Sequence, residues 1–166
     1  MATKVDGSGI WNANTAFEQA LKAINQADGF NTSPKVQIGG KTIQEVPEGE
    51  FPTICIIFGD IAPATEQIGG AEQGVIRWGQ ATFVLGYFRS SGHRKELYRA
   101  GNAMLLDVLS ALYAEETLPD SNGIGRVEFI NPGTIQFDVE SFASENQGYF
   151  LAEFEVVFSL IRGANP

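Results

Sequence analysis

The closing stretch NQGYFLAEFEVVFSLIRGANP, residues 146–166, decides the fold. From Phe150 its residues alternate. Phe150, Ala152, Phe154, Val156, Phe158 and Leu160 fall on one side, and Leu151, Glu153, Glu155, Val157, Ser159 and Ile161 on the other. Strict alternation is the period of a β-strand with one apolar face. At about 3.4 Å per residue, residues 150–161 span roughly 40 Å, against about five or six residues for a typical strand. The second face is half apolar, so something is expected to cover part of it as well.

Working back along the chain, TIQFDVES (134–141) places Ile135, Phe137 and Val139 opposite Gln136, Asp138 and Glu140. RVEFI (126–130) precedes it across NPG (131–133), which reads as a turn, so the three segments form a meander. RKELYRAGNAMLLDVLSALY (94–113) is the main helix. Leu97, Gly101, Met104, Leu105, Val108 and Leu112 share a face, and Leu106, Leu109 and Tyr113 widen it, which predicts burial on more than one side. VIRWGQATFVLGYF (75–88) reads as a second long strand, with Gly79 and Gly86 as bulges or bends. TICIIFG (53–59) is a continuous apolar, β-branched run, which favours a strand buried on both faces. Between these two strands, Asp60 to Gly74 reads as a long loop from its Pro and Gly content.

Near the N-terminus, Thr15-Ala16-Phe17-Glu18 matches a capping box, and Phe17, Ala20, Leu21 and Ile24 follow at helical spacing. This predicts a helix from Thr15 to near Asp28-Gly29, after an irregular arm over residues 1–14 and before a loop-rich stretch with one or two short strands. The expected architecture is α+β, a mostly antiparallel β-sheet with two main helices packed on one face. The single domain spans residues 15–162, and 163–166 form a C-terminal tail.

The totals agree with one domain: 166 residues, 43% hydrophobic and 19% charged. A net charge of −9 argues against a basic nucleic-acid grip. The single cysteine, Cys55, allows no internal disulfide and points to a reducing context. No apolar run has the length of a membrane span, and the first residues lack a signal-peptide core.

Catalytic signals are weak. IGGKT (38–42) suggests a phosphate loop, but the position of the first Walker glycine is Lys35, and IQEVPEGEFP follows where a helix should begin. A Gly-Gly turn between short strands is the plainer reading. His93 is the only histidine, and Ser90 and Ser91 lie too close in sequence to make a triad with it. Cys55 sits between isoleucines, as an inert buried thiol would. One His and one Cys cannot build a zinc site. Carboxylates group at Glu45, Glu48 and Glu50, at Glu115, Glu116 and Asp120, and at Asp138, Glu140 and Glu145. They suit a solvated surface, or acid–base chemistry on a loop. Trp11, Trp78, Phe88 and Tyr98 suit base stacking, or a core or protein interface. No catalytic, metal or cofactor site is expected.

The layout as a whole resembles the tail terminator, or tail completion, proteins of long-tailed bacteriophages. The likeness is carried by TAFEQALKAI, FPTICIIFGD, ATFVLGYFRSS, KELYRAGNAMLLDVLSAL, GRVEFINPGTIQFDVES and YFLAEFEVVFSLI, in that order. It covers most of Thr15 to Ile161 and rests on pattern and order, with no short diagnostic motif. It implies a ring, usually of six subunits, in the virion at the tail–neck junction, assembled in the host cytoplasm. That ring stops tail-tube growth and joins tail to head, with the tube protein and a neck or connector protein as partners and DNA passing through its lumen. No active site is implied. The alternatives are another neck, connector or stopper component and, in a different class, a small acidic enzyme with a loop carboxylate site. Loops of the length of Asp60 to Gly74 commonly carry contacts. Glu66, Ile68 and Glu72 are the expected partner-interface residues.

Overall fold

The computed structural model describes residues 8–64, 75–114, 117–119, 125–140 and 146–161. Its elements in order are α1 (Ser8–Lys22), β1 (Lys35–Ile38), β2 (Thr53–Pro63), β3 (Val75–Arg89), α2 (Arg94–Leu112), β4 (Leu118–Pro119), β5 (Gly125–Val127), β6 (Phe129–Asp138) and β7 (Gln147–Ile161). A five-stranded sheet runs β1-β2-β3-β7-β6, and β4 pairs with β5 in a separate ribbon. All neighbours in the large sheet are antiparallel except β1 and β2. The fold is therefore α+β with a mostly antiparallel sheet, as the alternation predicts.

The length of β7 follows from its place. It lies between β3 and β6 and pairs with β3 from Gln147↔Arg89 to Ile161↔Val75 without a shift of register. Phe150, Ala152, Phe154, Val156 and Phe158 are at most 3% exposed and form the centre of the core with Phe17, Leu21, Leu97, Met104 and Val108 from the two helices. An apolar face that long is buried because both helices lie across it.

Four local readings differ from expectation. First, α1 begins at Ser8, seven residues before Thr15, which sits mid-helix. Ile10 and Ala13 extend the stripe of Phe17 and Leu21, and their packing on the core outweighs the poor propensity of Gly9, Asn12 and Asn14. The helix ends at Lys22, and a 3₁₀ turn over Gln26–Asp28 closes on Gly29 at φ +93°. Second, β2 runs to Pro63, through a bulge between Phe58 and Ile61. Third, NPG is no turn. It lies within β6 as a bulge between Pro132 and Ile135, and a Cβ on Gly133 would stand 2.9 Å from the Glu153 carbonyl oxygen. Fourth, Gly79 and Gly86 mark no bend against β7. A Cβ on Gly86 would meet the Phe150 ring at 2.3 Å, and one on Gly79 would meet Glu155 at 2.6 Å, so both glycines make room for cross-strand side chains.

The burial of β2 is split. Thr53, Ile54, Cys55 and Ile56 are buried on both faces, but Ile57 is exposed. The main helix is buried on one side only, with Leu106 57% and Tyr113 45% exposed. Within that helix, Asp107 is 2% exposed and receives the Asn31 and Thr32 loop.

Candidate interaction surface on the uncovered sheet face

Both helices take one face of the sheet, so the other face can be followed row by row from the registers. One row is Cys55, Leu85, Leu151 and Gln136; the next is Ile57, Phe83 and Glu153; the next is Ala81, Glu155 and Asn131. Among the described residues, segments cover the two ends of this face and none covers its middle.

At one end the segment after β1 folds over the sheet. Gly39 turns the chain at φ +93°, and the Glu45 carboxylate accepts from the Thr42 N–H in a reciprocal cap. Ile43 and Val46 then bury Cys55 and Tyr87, with Phe51, Leu85 and Tyr149 around them. The Tyr87 hydroxyl donates to the Lys41 carbonyl. Burial, with the Cys55, Tyr149 and Glu45 groups nearby, pushes the Tyr87 phenol up to about 12. Burial also pushes the Cys55 thiol up, as expected for an inert cysteine. Above this end, Glu50 accepts from Lys35, whose ammonium holds the carboxyl below its ordinary value.

At the other end Val157 is fully buried. Its cross-strand neighbours are Gly79 and Phe129, and the Arg77 guanidinium lies 5.5 Å from the Phe129 ring centre and 2.6 Å from Glu128.

The middle is a shallow hollow of about 340 Å³ floored by Gly79 and Ala81 and rimmed by Asp60, Asn131, Glu153 and Glu155. Asn131 donates to Glu155 at 2.8 Å. Beside it stand Ile57, 36% exposed, and the half-buried Phe83 and Leu151. An apolar strip edged by carboxylates is suited to contact with another protein surface and repels polyanions. A cleft of about 420 Å³ lies outside this face, between the Asn31-Thr32 loop, Phe51-Pro52, Arg89 and Met104 of α2. The Arg89–Glu48 ion pair, at 2.8 Å, sits at its wall.

Among the described residues, those singled out from sequence are spread over several elements. His93 is the exposed N-cap position of α2 and makes no side-chain cap. Ser90 Oγ accepts from the Gly92 N–H. Glu48 and Glu50 are engaged by Arg89 and Lys35, and Glu140 by Arg94 at 2.9 Å and by the Tyr98 hydroxyl. Trp78 and Phe88 belong to the core, Tyr98 stacks on Phe137, and Trp11 is 57% exposed. Among the described residues no group of three His, Cys, Asp or Glu is placed to hold a metal ion. Glu66, Ile68 and Glu72 lie outside the described residues, as do Glu115, Glu116, Asp120 and Glu145. The uncovered sheet face was only half signalled: Leu151, Val157 and Ile161 marked a mixed face, but the alternation could not say which part stays bare.

No protein-family model and no curated protein matches the chain. Among solved structures it is similar to the sheath/tube terminator of an extracellular contractile injection system, PVC, in its extended state. The identity is 15% and the TM-score 0.44, over 94% of this chain and 58% of that one. A protein without its transmembrane region from Akkermansia muciniphila is matched at 10% identity and TM-score 0.28, over 66% of this chain and 46% of that one. The chain thus spans less than two thirds of either neighbour.

Proposed function

We propose that this chain is a structural tail terminator of a long-tailed bacteriophage, acting as a ring of six copies without catalysis. The ring ends the tail tube, joins it to the neck or connector, and lets DNA pass through its lumen. It would reside in the virion at the tail–neck junction after assembly in the host cytoplasm. The order and pattern of elements that carry the resemblance support this reading.

The observation that carries it is the uncovered sheet face. Ile57, Phe83 and Leu151 lie there beside Asp60, Glu153 and Glu155, on a chain of net charge −9. Such a face suits a subunit completed by neighbours and a passage that does not hold a polyanion. Glu66, Ile68 and Glu72, between β2 and β3 in sequence, are proposed to contact the tube or a neighbouring subunit. Electron microscopy of particles assembled without this chain tests the role. Tails of uncontrolled length that fail to join heads are expected. Normal joined particles would contradict it.

A further inference from the structure

We infer that copies of this chain join edge to edge, β1 of one copy pairing antiparallel with β6 of the next. This rests on the ring reading and specifies the contact that would close it.

The hydrogen-bond phase of both edge strands is fixed by bonds at their ends. In β1, Lys35 N–H donates to Pro52 O at 3.0 Å and Gly39 N–H to Ile56 O at 2.8 Å. Bonding alternates along a parallel strand, so residues 35, 37 and 39 serve β2 and the backbone groups of Val36 and Ile38 face outward. For β6 the phase comes through β7. Ser90 N–H donates to Asn146 O at 3.0 Å, continuing the register Arg89↔Gln147. Even-numbered residues of β7 therefore bond to β3 and odd-numbered ones to β6. Asp138↔Tyr149 and Gln136↔Leu151 are then the bonded pairs, and the backbone groups of Ile135 and Phe137 face outward. Among the described residues no strand lies beyond either edge.

Side chains agree with the backbone. Ile38 and Ile135 are 42% and 38% exposed, and they end the same row across the sheet, Ile38–Ile56–Val84–Ala152–Ile135. Another row runs Lys35–Thr53–Tyr87–Tyr149–Asp138, with opposite charges at its two ends. Placing β1 of one copy beside β6 of another sets Ile38 opposite Ile135 and Val36 opposite Phe137, with outward backbone groups on both strands. The same register sets Gln37 opposite Gln136 and Lys35 opposite Asp138. Strand directions alternate from β2 to β6, and β1 runs with β2, so copies sharing one orientation meet antiparallel. The two edges differ, so the contact is heterologous and propagates until it closes into a ring. Pro132 and the bulge after it confine the contact to a short segment of β6. A ladder that short is weak alone, which limits open-ended stacking.

The test is disulfide trapping in the full chain with Cys55→Ala. Gln37→Cys and Gln136→Cys would form a non-hydrogen-bonded pair between copies, with Cα atoms about 4.5 Å apart, within disulfide range. Mild oxidation is expected to shift the monomer band into a reducible ladder ending at a closed oligomer. Gln37→Cys with Asp138→Cys, two residues out of register, is expected to give none. Native mass measurement of the same unoxidised samples reports the ring independently. A ladder with a ring supports both readings; a ladder without a closed ring supports the edge contact and overturns the ring. A ring without the ladder overturns the edge contact, and neither overturns both. Val36→Pro removes an outward N–H and trims a half-buried side chain that packs on the core, so a lowered Tm is expected with it. It is expected to keep the monomer fold and abolish the ladder, and a persistent ladder would count against the pairing.

Discussion

Asp107→Ala offers a severe check on how the helical layer is held. Asp107 is 2% exposed in the middle of α2. Its Oδ1 accepts from the Asn31 N–H at 3.0 Å and from Asn31 Nδ2 at 2.9 Å. Its Oδ2 accepts from the Thr32 N–H at 2.7 Å and the Thr32 hydroxyl at 2.6 Å. A hydrogen bond to a charged group contributes about 1.5–3 kcal/mol. The four share one carboxylate and are not additive, and Asn31 is exposed, so its donors can turn to water. The better helix propensity of Ala returns up to about 0.7 kcal/mol. The net loss is placed at about 3–4 kcal/mol. For a chain of this length that lowers Tm by roughly 6–16 °C. Asp107→Asn keeps one acceptor and should lose about half as much. Thermal unfolding followed by circular dichroism measures both. A Tm for Asp107→Ala within about 2 °C of the parent would refute the assignment of Asp107 as the anchor of that loop.

Gly101→Ala puts a Cβ 2.3 Å from Phe137 Cζ and 2.5 Å from Phe88 Cζ, two rings already stacked 5.3 Å apart. Overpacking of about 1–3 kcal/mol should outweigh the helix-propensity gain and lower Tm, and an unchanged or raised Tm would contradict it. Tyr87 supplies a pH dependence. Its folded pKa, about 12, lies above the ordinary value of 10.0, so its contribution is full below pH 10 and is lost as pH rises through about 12. The difference corresponds to about 3 kcal/mol at most. Denaturant melts of the parent should weaken over that window, and those of Tyr87→Phe should weaken less, although the variant also loses the bond to Lys41 O. Cys55 should react slowly with thiol reagents in the folded chain, and Cys55→Ala should cost about 1 kcal/mol, so rapid labelling without unfolding would contradict its burial.

The residues that announced the fold did so through one-dimensional periods. The alternation from Phe150 fixed which side chains of β7 face the core, and the spacing of Leu97, Met104 and Val108 fixed the buried side of α2. A period names a face and is silent about neighbours: the meander placed β7 beside β6, but its pairing with β3 was not legible. Asn-Pro-Gly has the chemistry of a turn, but pairing with β7 on both sides of the bulge holds it extended. The Thr15 capping box is a real sequence signal overridden by packing of Ile10 and Ala13. Asp107 gave no signal in the sequence, because its partners, Asn31 and Thr32, lie more than 70 residues away. The wide stripe of Leu106 and Tyr113 was legible as apolar, while its exposure was not. The bare sheet face needed the registers, since Ile57, Phe83 and Glu153 meet only across strands.

Density for the end of the tail tube in particles containing this chain tests the ring most directly. The account predicts six copies in a closed ring on the last tube ring, with carboxylates facing the lumen. The chain found as a single copy, outside any ring, or absent from the particle would contradict it.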